Sequence, residues 1–191
     1  MSPNIAQPAL HVDLLPYEAR LEARNAGQID LVVIHCTELP DLAMARQFGE
    51  EIRYPQSRTG NSGHYYIDRD GAIHQYVCID RIAHHTHGYN ARSIGIELVN
   101  IGRYPDWLDS RRQAMHESYT DAQLIALVAL LHDLQQAVPN MKWIAGHEDL
   151  DTADVPATDD PERTVRRKRD PGPLFPWTRI LGAVDLRRMK Q

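Results

Sequence analysis

One stretch near the start of the chain limits its possible folds more than any other. IDLVVIHCT, residues 29–37, is a short, uninterrupted run of β-branched and other apolar residues that ends in polar ones. A strand with one face in water alternates apolar and polar residues, whereas a strand covered on both faces reads as a continuous apolar run. The stretch therefore predicts a buried central strand that delivers His35 at its carboxyl end.

Two further segments have the pattern of strands. HYYIDRDGAIHQYV, residues 64–77, contains an Asp-Gly pair between two apolar runs, which is a strong signal for a hairpin turn. In SIGIELVN, residues 93–100, alternation places Ile94, Ile96 and Leu98 on one face of a strand and Glu97 on the other. Glu97 is thereby predicted to be a carboxylate within an otherwise apolar strand.

The clearest helix is TDAQLIALVALLHDLQQAV, residues 120–138. Its apolar residues recur at helical spacing, Thr120 or Asp121 is suited to be the N-cap, and Pro139 ends the pattern. LAMARQFGEEI, residues 42–52, is predicted to be a second helix.

The last part of the chain combines a short strand with a polar segment. KWIAGH, residues 142–147, is short and apolar and predicts a strand that delivers His147. Residues 148–167 are polar and without periodicity, which predicts a long loop.

The composition bounds the class of protein. A length of 191 residues fits one domain with a substantial core. Lys and Arg number 21 against 26 Asp and Glu, and this net charge of −5 argues against nucleic-acid or anionic-membrane partners. Two cysteines, Cys36 and Cys78, are too few for a disulfide scaffold. No signal segment or membrane-spanning stretch is visible, so we expect a cytoplasmic protein with no membrane partner. We also expect a monomer.

Several side chains are suited to hydrolytic chemistry at a metal ion. Zinc hydrolases commonly use three ligands from His, Asp, Glu or Cys, and His35, His147 and Asp170 offer such a set. Glu97 is suited to act as a base because desolvation raises a carboxyl pKa, and Lys168 is suited to stabilise an oxyanion. Each residue alone also has a structural interpretation: a hydrogen-bonded histidine, a salt-bridged glutamate, a solvated lysine.

Five motifs, taken in order, carry a family resemblance. They are VVIHCT, SGHYYIDRDGAIHQYV, AHHTHGYNARSIGIELVN, IAGHEDLD and KRDPGPLFPW. Together they resemble the type 2 family of zinc-dependent N-acetylmuramoyl-L-alanine amidases, which includes AmpD-type amidases, phage lysozymes and peptidoglycan recognition proteins. The resemblance covers roughly residues 31–181. It implies a single α/β domain with a mixed central β-sheet flanked by helices.

The resemblance also implies roles for individual residues. One Zn²⁺ per chain would be bound by His35, His147 and Asp170, with Glu97 as the general base and Lys168 as the oxyanion-stabilising group. His64, His85 and Asn90 match family positions near the groove, where they would contact substrate or support the site. His84 and His87 match less clearly and are interpreted as surface or packing residues.

The implied reaction is hydrolysis of the amide between N-acetylmuramic acid, in its 1,6-anhydro form, and L-alanine during cell-wall recycling. Two alternatives stay open: a peptidoglycan-binding module without activity, and a periplasmic or secreted amidase that acts on intact sacculi. We expect residues 1–28 to be an N-terminal extension that packs on an amidase domain of residues 29–191. The long loop at 148–167 departs from the AmpD-type pattern, because 22 residues separate His147 from Asp170.

Overall fold

A computed structural model of the chain describes residues 9–190, so the first eight residues of the expected N-terminal extension lie outside the described part. The strands are β1 Leu10–Val12, β2 Leu31–Cys36, β3 Tyr65–Ile67, β4 Ile73–Gln75, β5 Ser93–Leu98, β6 Trp143–Gly146, β7 Asp154–Pro156, β8 Thr164–Arg166 and β9 Arg187–Arg188. The α-helices are α1 Leu42–Glu50, α2 Asp121–Ala137, α3 His147–Leu150 and α4 Trp177–Leu181. Short 3₁₀ turns lie at Glu18–Arg20, Ala26–Gln28 and Asn90–Arg92.

Seven of these strands form one mixed sheet in the order β1-β4-β3-β5-β2-β6-β9. Only β3 and β4 pair antiparallel, and the other neighbours within this sheet are parallel. All six residues of β2 are buried, as the uninterrupted apolar pattern predicts for a central strand. The hairpin prediction is also confirmed, since β3 and β4 are joined at Gly71, whose φ of +90° favours glycine.

The two faces of the sheet have different surroundings. The main core lies on one face, where α2 packs against Ile34, Ile96 and other alternate residues of β2 and β5. The side chains of His35 and Glu97 point to the opposite face, and the parallel register places these two residues side by side. The alternation read from the sequence is therefore confirmed, and Glu97 lies at the carboxyl end of a parallel pair of strands.

Helix α2 begins where the sequence pattern predicts. The Thr120 hydroxyl accepts a hydrogen bond from the backbone N–H of Gln123, whose side chain accepts one from the backbone N–H of Thr120. This reciprocal capping box satisfies two N–H groups that would otherwise lack partners at the helix terminus. The helix ends at Ala137, two residues before Pro139.

The chain before β2 is held to the body by both hydrogen bonds and apolar contacts. Strand β1 pairs parallel with β4 at the edge of the sheet. Leu15 and Tyr17 are buried in a second apolar cluster with Ala45 of α1, and the Tyr17 hydroxyl donates a hydrogen bond to the Gly49 carbonyl at 2.6 Å. No helix within residues 9–190 is long and apolar enough to cross a membrane.

The segment expected to be a long loop, residues 148–167, contains short regular elements. The segment begins in α3 and contains the antiparallel ladder of β7 and β8, in which Val155 pairs with Val165. The backbone N–H of Thr158, at the turn between them, donates to the Leu108 carbonyl at 2.9 Å. Three-residue strands give too little periodicity to be recognised among polar residues, so backbone pairing decides the structure here.

The stability of the main core can be tested on α2. Leu127 is fully buried between α2 and the sheet, so we expect Leu127→Ala to lower the free energy of unfolding by about 2–5 kcal/mol. Ile125 on the same helix is 37% exposed, and Ile125→Ala should cost less than about 1 kcal/mol. Urea denaturation of both variants measures the difference. Equal losses in the two variants would contradict this assignment of the core.

Candidate metal centre

Three separate parts of the chain converge at the carboxyl ends of the central strands. His35 is on β2, His147 starts α3 directly after β6, and Asp170 lies in the segment after β8. The Nδ1 atoms of His35 and His147 lie 2.8 Å and 3.1 Å from the same oxygen, Oδ2 of Asp170. All three side chains are buried. The residues that the resemblance assigns as ligands are therefore brought together.

The protonation states of this group suit a metal ion. Burial lowers the pKa of His35 to about 4, so its imidazole is neutral at physiological pH. Burial acts to raise the pKa of Asp170, but the interactions of its carboxyl with His147 and His35 outweigh burial and hold that pKa well below its usual range. Metal ligation requires neutral histidine and ionised carboxylate.

A buried atom without a partner supports the same conclusion. Oδ1 of Asp170 is buried and has no hydrogen-bond partner among the described residues, although a buried carboxylate oxygen is costly to leave unsatisfied. One nitrogen of each histidine and one Asp170 oxygen lie within 4.8 Å of one another, which is close enough to hold one ion. The group fits a small divalent cation with nitrogen and oxygen ligands.

A second layer of side chains orients His35. Its Nε2 lies 3.1 Å from Nδ1 of His85 and 3.3 Å from the Thr86 hydroxyl. A proton on Nε2 of His35 can be donated to either atom, which leaves the Nδ1 lone pair for a metal. Sequence reasoning did not identify Thr86, because a threonine in a loop carries no pattern that marks it.

The position of His85 depends on its neighbours. Its ring packs against Gly95 of β5, where an added Cβ would lie 2.6 Å from the ring. The Asn90 side chain accepts hydrogen bonds from the backbone N–H groups of His85 and Thr86, at 3.0 Å and 2.7 Å. Asn90 thus fixes the loop that carries His85, and both residues line the cavity beside the metal group.

Contact of His64 with a substrate, one of the two roles expected for it, does not agree with the structure. The residue is fully buried and does not line the cavity. Its Nδ1 accepts a hydrogen bond from the Gly95 backbone N–H at 3.0 Å, and its Nε2 lies 3.1 Å from the Arg81 carbonyl. The reason for the difference is that His64 contacts Gly95 of β5 and the ring of His85 rather than the cavity, so support of the site is the role that its position permits.

Glu97 and Lys168 both line the cavity at the metal group. Oε1 of Glu97 is 3.9 Å from Nδ1 of His35, and its side chain is 15% exposed. Burial, aided by the charge of Asp170 and opposed by that of Lys168, raises the pKa of Glu97 to about 8. The carboxyl can therefore both gain and lose a proton near neutral pH. Gly63 makes room for it, since a Cβ there would lie 2.9 Å from Cγ of Glu97.

The cavity has a volume of about 700 Å³ and extends well beyond the metal group. His84 and His87 line it, whereas the sequence indicated only surface or packing positions for them. The His84 ring lies edge-to-face against Tyr54 at 4.7 Å. Trp107 also lines the cavity and donates a hydrogen bond from its indole N–H to the Glu38 carbonyl.

This geometry agrees with comparison against known proteins. The model of the N-acetylmuramoyl-L-alanine amidase family matches residues 25–173, and the chain belongs to this family. The 1,6-anhydro-N-acetylmuramyl-L-alanine amidase AmpD of Escherichia coli (strain K12) is 37% identical over 128 residues, which are 62% of this chain and 56% of that protein. AmpD of Haemophilus influenzae is 29% identical over 184 residues, 84% of this chain and 85% of that protein.

Solved structures show the same fold. N-acetylmuramoyl-L-alanine amidase LysC from Clostridium intestinale superposes with a TM-score of 0.66 at 20% identity, covering 94% of this chain and 99% of that one. A selenomethionine derivative of AmpD superposes with a TM-score of 0.61 at 25% identity, covering 94% of this chain and 96% of that one. The α/β fold with a mixed central sheet is confirmed. In sequence, the chain matches only 56% of the length of Escherichia coli AmpD. It matches 60% of the length of AmpD from Salmonella typhimurium (strain LT2).

The support of His35 by His85 can be tested through metal affinity. Gly95→Ala places a Cβ against the His85 ring, which must shift from the position in which it contacts His35, so we expect Zn²⁺ binding to weaken roughly 10- to 100-fold. Competition with a chelating zinc indicator measures the affinity. Gly49→Ala, where the new Cβ meets nothing closer than 3.5 Å, is the matched control. Unchanged affinity in Gly95→Ala would contradict the supporting role of His85.

Proposed function

We propose that this chain is a zinc-dependent amidase that cleaves the bond between N-acetylmuramic acid and L-alanine in peptidoglycan fragments. The observation that carries the proposal is the buried group of His35, His147 and Asp170, with Glu97 and Lys168 lining the same cavity. Amide hydrolysis needs a Lewis acid, a carboxyl that transfers a proton and a cation that stabilises the oxyanion, and this group of side chains can provide all three. Family membership supports the same reaction.

The mechanism assigns one task to each side chain. His35, His147 and Asp170 would hold the ion, and zinc bound there would supply Lewis acidity that lowers the pKa of water and polarises a carbonyl. Glu97 accepts a proton from the water that attacks the carbonyl carbon. It then gives this proton to the L-alanine nitrogen as the C–N bond breaks. Lys168 donates a hydrogen bond to the carbonyl oxygen while that oxygen carries negative charge.

We further propose that the sugar is in the 1,6-anhydro form and that the setting is cell-wall recycling in the cytoplasm. Support comes from the AmpD relatives, which are named for the 1,6-anhydro substrate. In addition, the AmiD protein of Escherichia coli, 25% identical and covering 82% of this chain with a TM-score of 0.59, was solved with anhydro-N-acetylmuramic acid-L-Ala-D-gamma-Glu-L-Lys. The cavity of about 700 Å³ is large enough for such a compound.

The direct test is mass spectrometry of the zinc-loaded protein after incubation with a soluble anhydromuropeptide and, in parallel, with intact sacculi. Release of a peptide that begins with L-alanine from the soluble substrate alone supports a recycling amidase. Release from sacculi instead indicates a wall-cleaving enzyme. Absence of peptide from both, in protein that holds zinc, indicates a binding module.

The assignment of Asp170 as a ligand predicts loss of the metal. Asp170→Ala removes the only carboxylate of the group, so we expect zinc occupancy and activity to fall together. Elemental analysis of the purified variant measures the occupancy. Asp151→Ala is the matched control, because Asp151 also lines the cavity but pairs with Arg167. Full zinc occupancy in Asp170→Ala would refute the site.

The assignment of Glu97 as the base predicts loss of rate without loss of metal. Glu97→Gln keeps the shape of the side chain but cannot accept the proton. We expect kcat to fall about 10²- to 10⁴-fold, or roughly 3–5 kcal/mol of transition-state stabilisation. Steady-state kinetics together with zinc analysis separate the two effects. Turnover near that of the unaltered chain would exclude Glu97 as the base.

A further inference from the structure

A buried ion pair lies between the metal group and the segment that carries Lys168. Glu38 follows the His35 strand, and Arg103 belongs to the loop after β5. Nε and Nη2 of Arg103 donate to the two carboxylate oxygens of Glu38 at 2.7 Å and 2.8 Å. Both residues are buried and both line the cavity. Neither residue has a part in the mechanism described above.

The other donors of Arg103 reach the backbone just before Lys168. Nη1 donates to the Arg166 carbonyl at 3.0 Å, and Nη2 donates to the Arg167 carbonyl at 3.3 Å. The second hydrogen of Nη1 goes to the Gln113 side-chain oxygen at 3.1 Å. All five N–H donors of the guanidinium are thereby used. Lysine has only three donors on one atom and could not make the same set of contacts.

The orientation of Glu38 is itself fixed. Its backbone has φ of +49°, its carbonyl accepts from the Trp107 indole, and its carboxylate also accepts from the Arg103 backbone N–H at 3.2 Å. Gly102 packs directly against it, and a Cβ at Gly102 would lie 2.6 Å from Cγ of Glu38. Arg103 is therefore held at one end by a rigid carboxylate and holds two carbonyls at the other.

We propose that Arg103 is a positioning residue that fixes Lys168 relative to the metal group through the carbonyls of Arg166 and Arg167. The need for such a residue follows from the insertion of β7 and β8 between the ligands His147 and Asp170. The inserted ladder enters the Lys168 segment directly, so its motion would displace Lys168 unless the intervening carbonyls were held. Arg103 joins those carbonyls to the end of the His35 strand.

This inference rests on the proposed amidase function for its kinetic part, but the positioning itself can be measured without substrate. We would replace the pair together, as Arg103→Met with Glu38→Gln, because removing only the arginine leaves a buried carboxylate without a cation. Arg103→Lys keeps the charge but not the fork of donors. Arg112→Met, on the same loop in an exposed pair with Asp106, is the matched control.

Hydrogen exchange followed by mass spectrometry gives the first readout. We expect the peptide covering residues 164–169 to exchange about tenfold faster in the double variant than in the unaltered chain, because two hydrogen bonds that hold its carbonyls are lost. The Arg112→Met control should leave this peptide unchanged. Zinc content should stay the same in all variants, since none of the three ligands is altered. Unchanged exchange in residues 164–169 of the double variant would overturn the proposal, whatever the activity.

Kinetics give the second readout. We expect kcat of the double variant to fall about 10- to 100-fold with KM within about threefold, since small misplacement of a catalytic group has effects of this size. The kcat of Arg103→Lys should lie between that of the double variant and that of the unaltered chain. In a Lys168→Met background, the same double substitution should change kcat less than about twofold, because its effect passes through Lys168.

The outcomes separate this inference from the proposed function. Equal losses of kcat in the presence and absence of Lys168 would overturn the positioning role, because Arg103 would then act by another route. If the unaltered chain releases no peptide but residues 164–169 respond in exchange, the hold of Arg103 on this segment is supported and the amidase proposal fails.

Discussion

The parallel pairing of β2 with β5 is the constraint on which the rest of the site depends. It places His35 directly beside Glu97, and β6 on the other side of β2 continues into His147. A slip of one residue would turn His35 into the core that α2 covers, because side chains alternate between the two faces of a strand. The apolar partners Ile34, Ile96 and Ile144 bury the opposite face and exclude that slip. The burial of the core therefore fixes the geometry of the metal group.

Among His35, Asp170 and the side chains that orient His35, polar groups are satisfied in layers with one exception. His35 contacts Asp170 through one nitrogen and His85 or Thr86 through the other, and Asn90 holds the loop that carries His85. Burying so many polar groups is costly unless each has a partner, which explains why the supporting side chains extend as far as His64 beneath the site. The exception is Oδ1 of Asp170, which is buried without a partner among residues 9–190. A buried carboxylate oxygen without a partner in the described part of the chain, beside two histidine nitrogens, makes this a group that could hold a cation.

The segment between His147 and Asp170 adds a wall to the cavity. Hydrogen bonds and an ion pair hold this wall to the rest of the protein. Asp159 accepts hydrogen bonds from the backbone and side chain of Ser110, and Arg166 donates to carbonyls near the end of α3. Arg167 pairs with Asp151. Arg166 and Arg167, two of the arginines before Asp170, thus bind other parts of the protein. Lys168 is left to face the cavity.

The sequence by itself determined the central strand, the hairpin and helix α2, because periodicity and turn residues are local properties of the chain. Its ordered motifs also indicated His35, His147 and Asp170, which the structure brings together. The sequence did not determine the β7–β8 ladder, whose three-residue strands carry no readable period, nor the burial of His64, which depends on what packs over it. The link from Arg103 to Glu38 and to the backbone before Lys168 was also beyond the sequence. Its partners lie 65, 63 and 64 residues away along the chain, so only tertiary packing brings them together. Long-range contacts between polar groups leave no pattern in a single sequence. These contacts decide where the side chains of the separate motifs lie relative to one another.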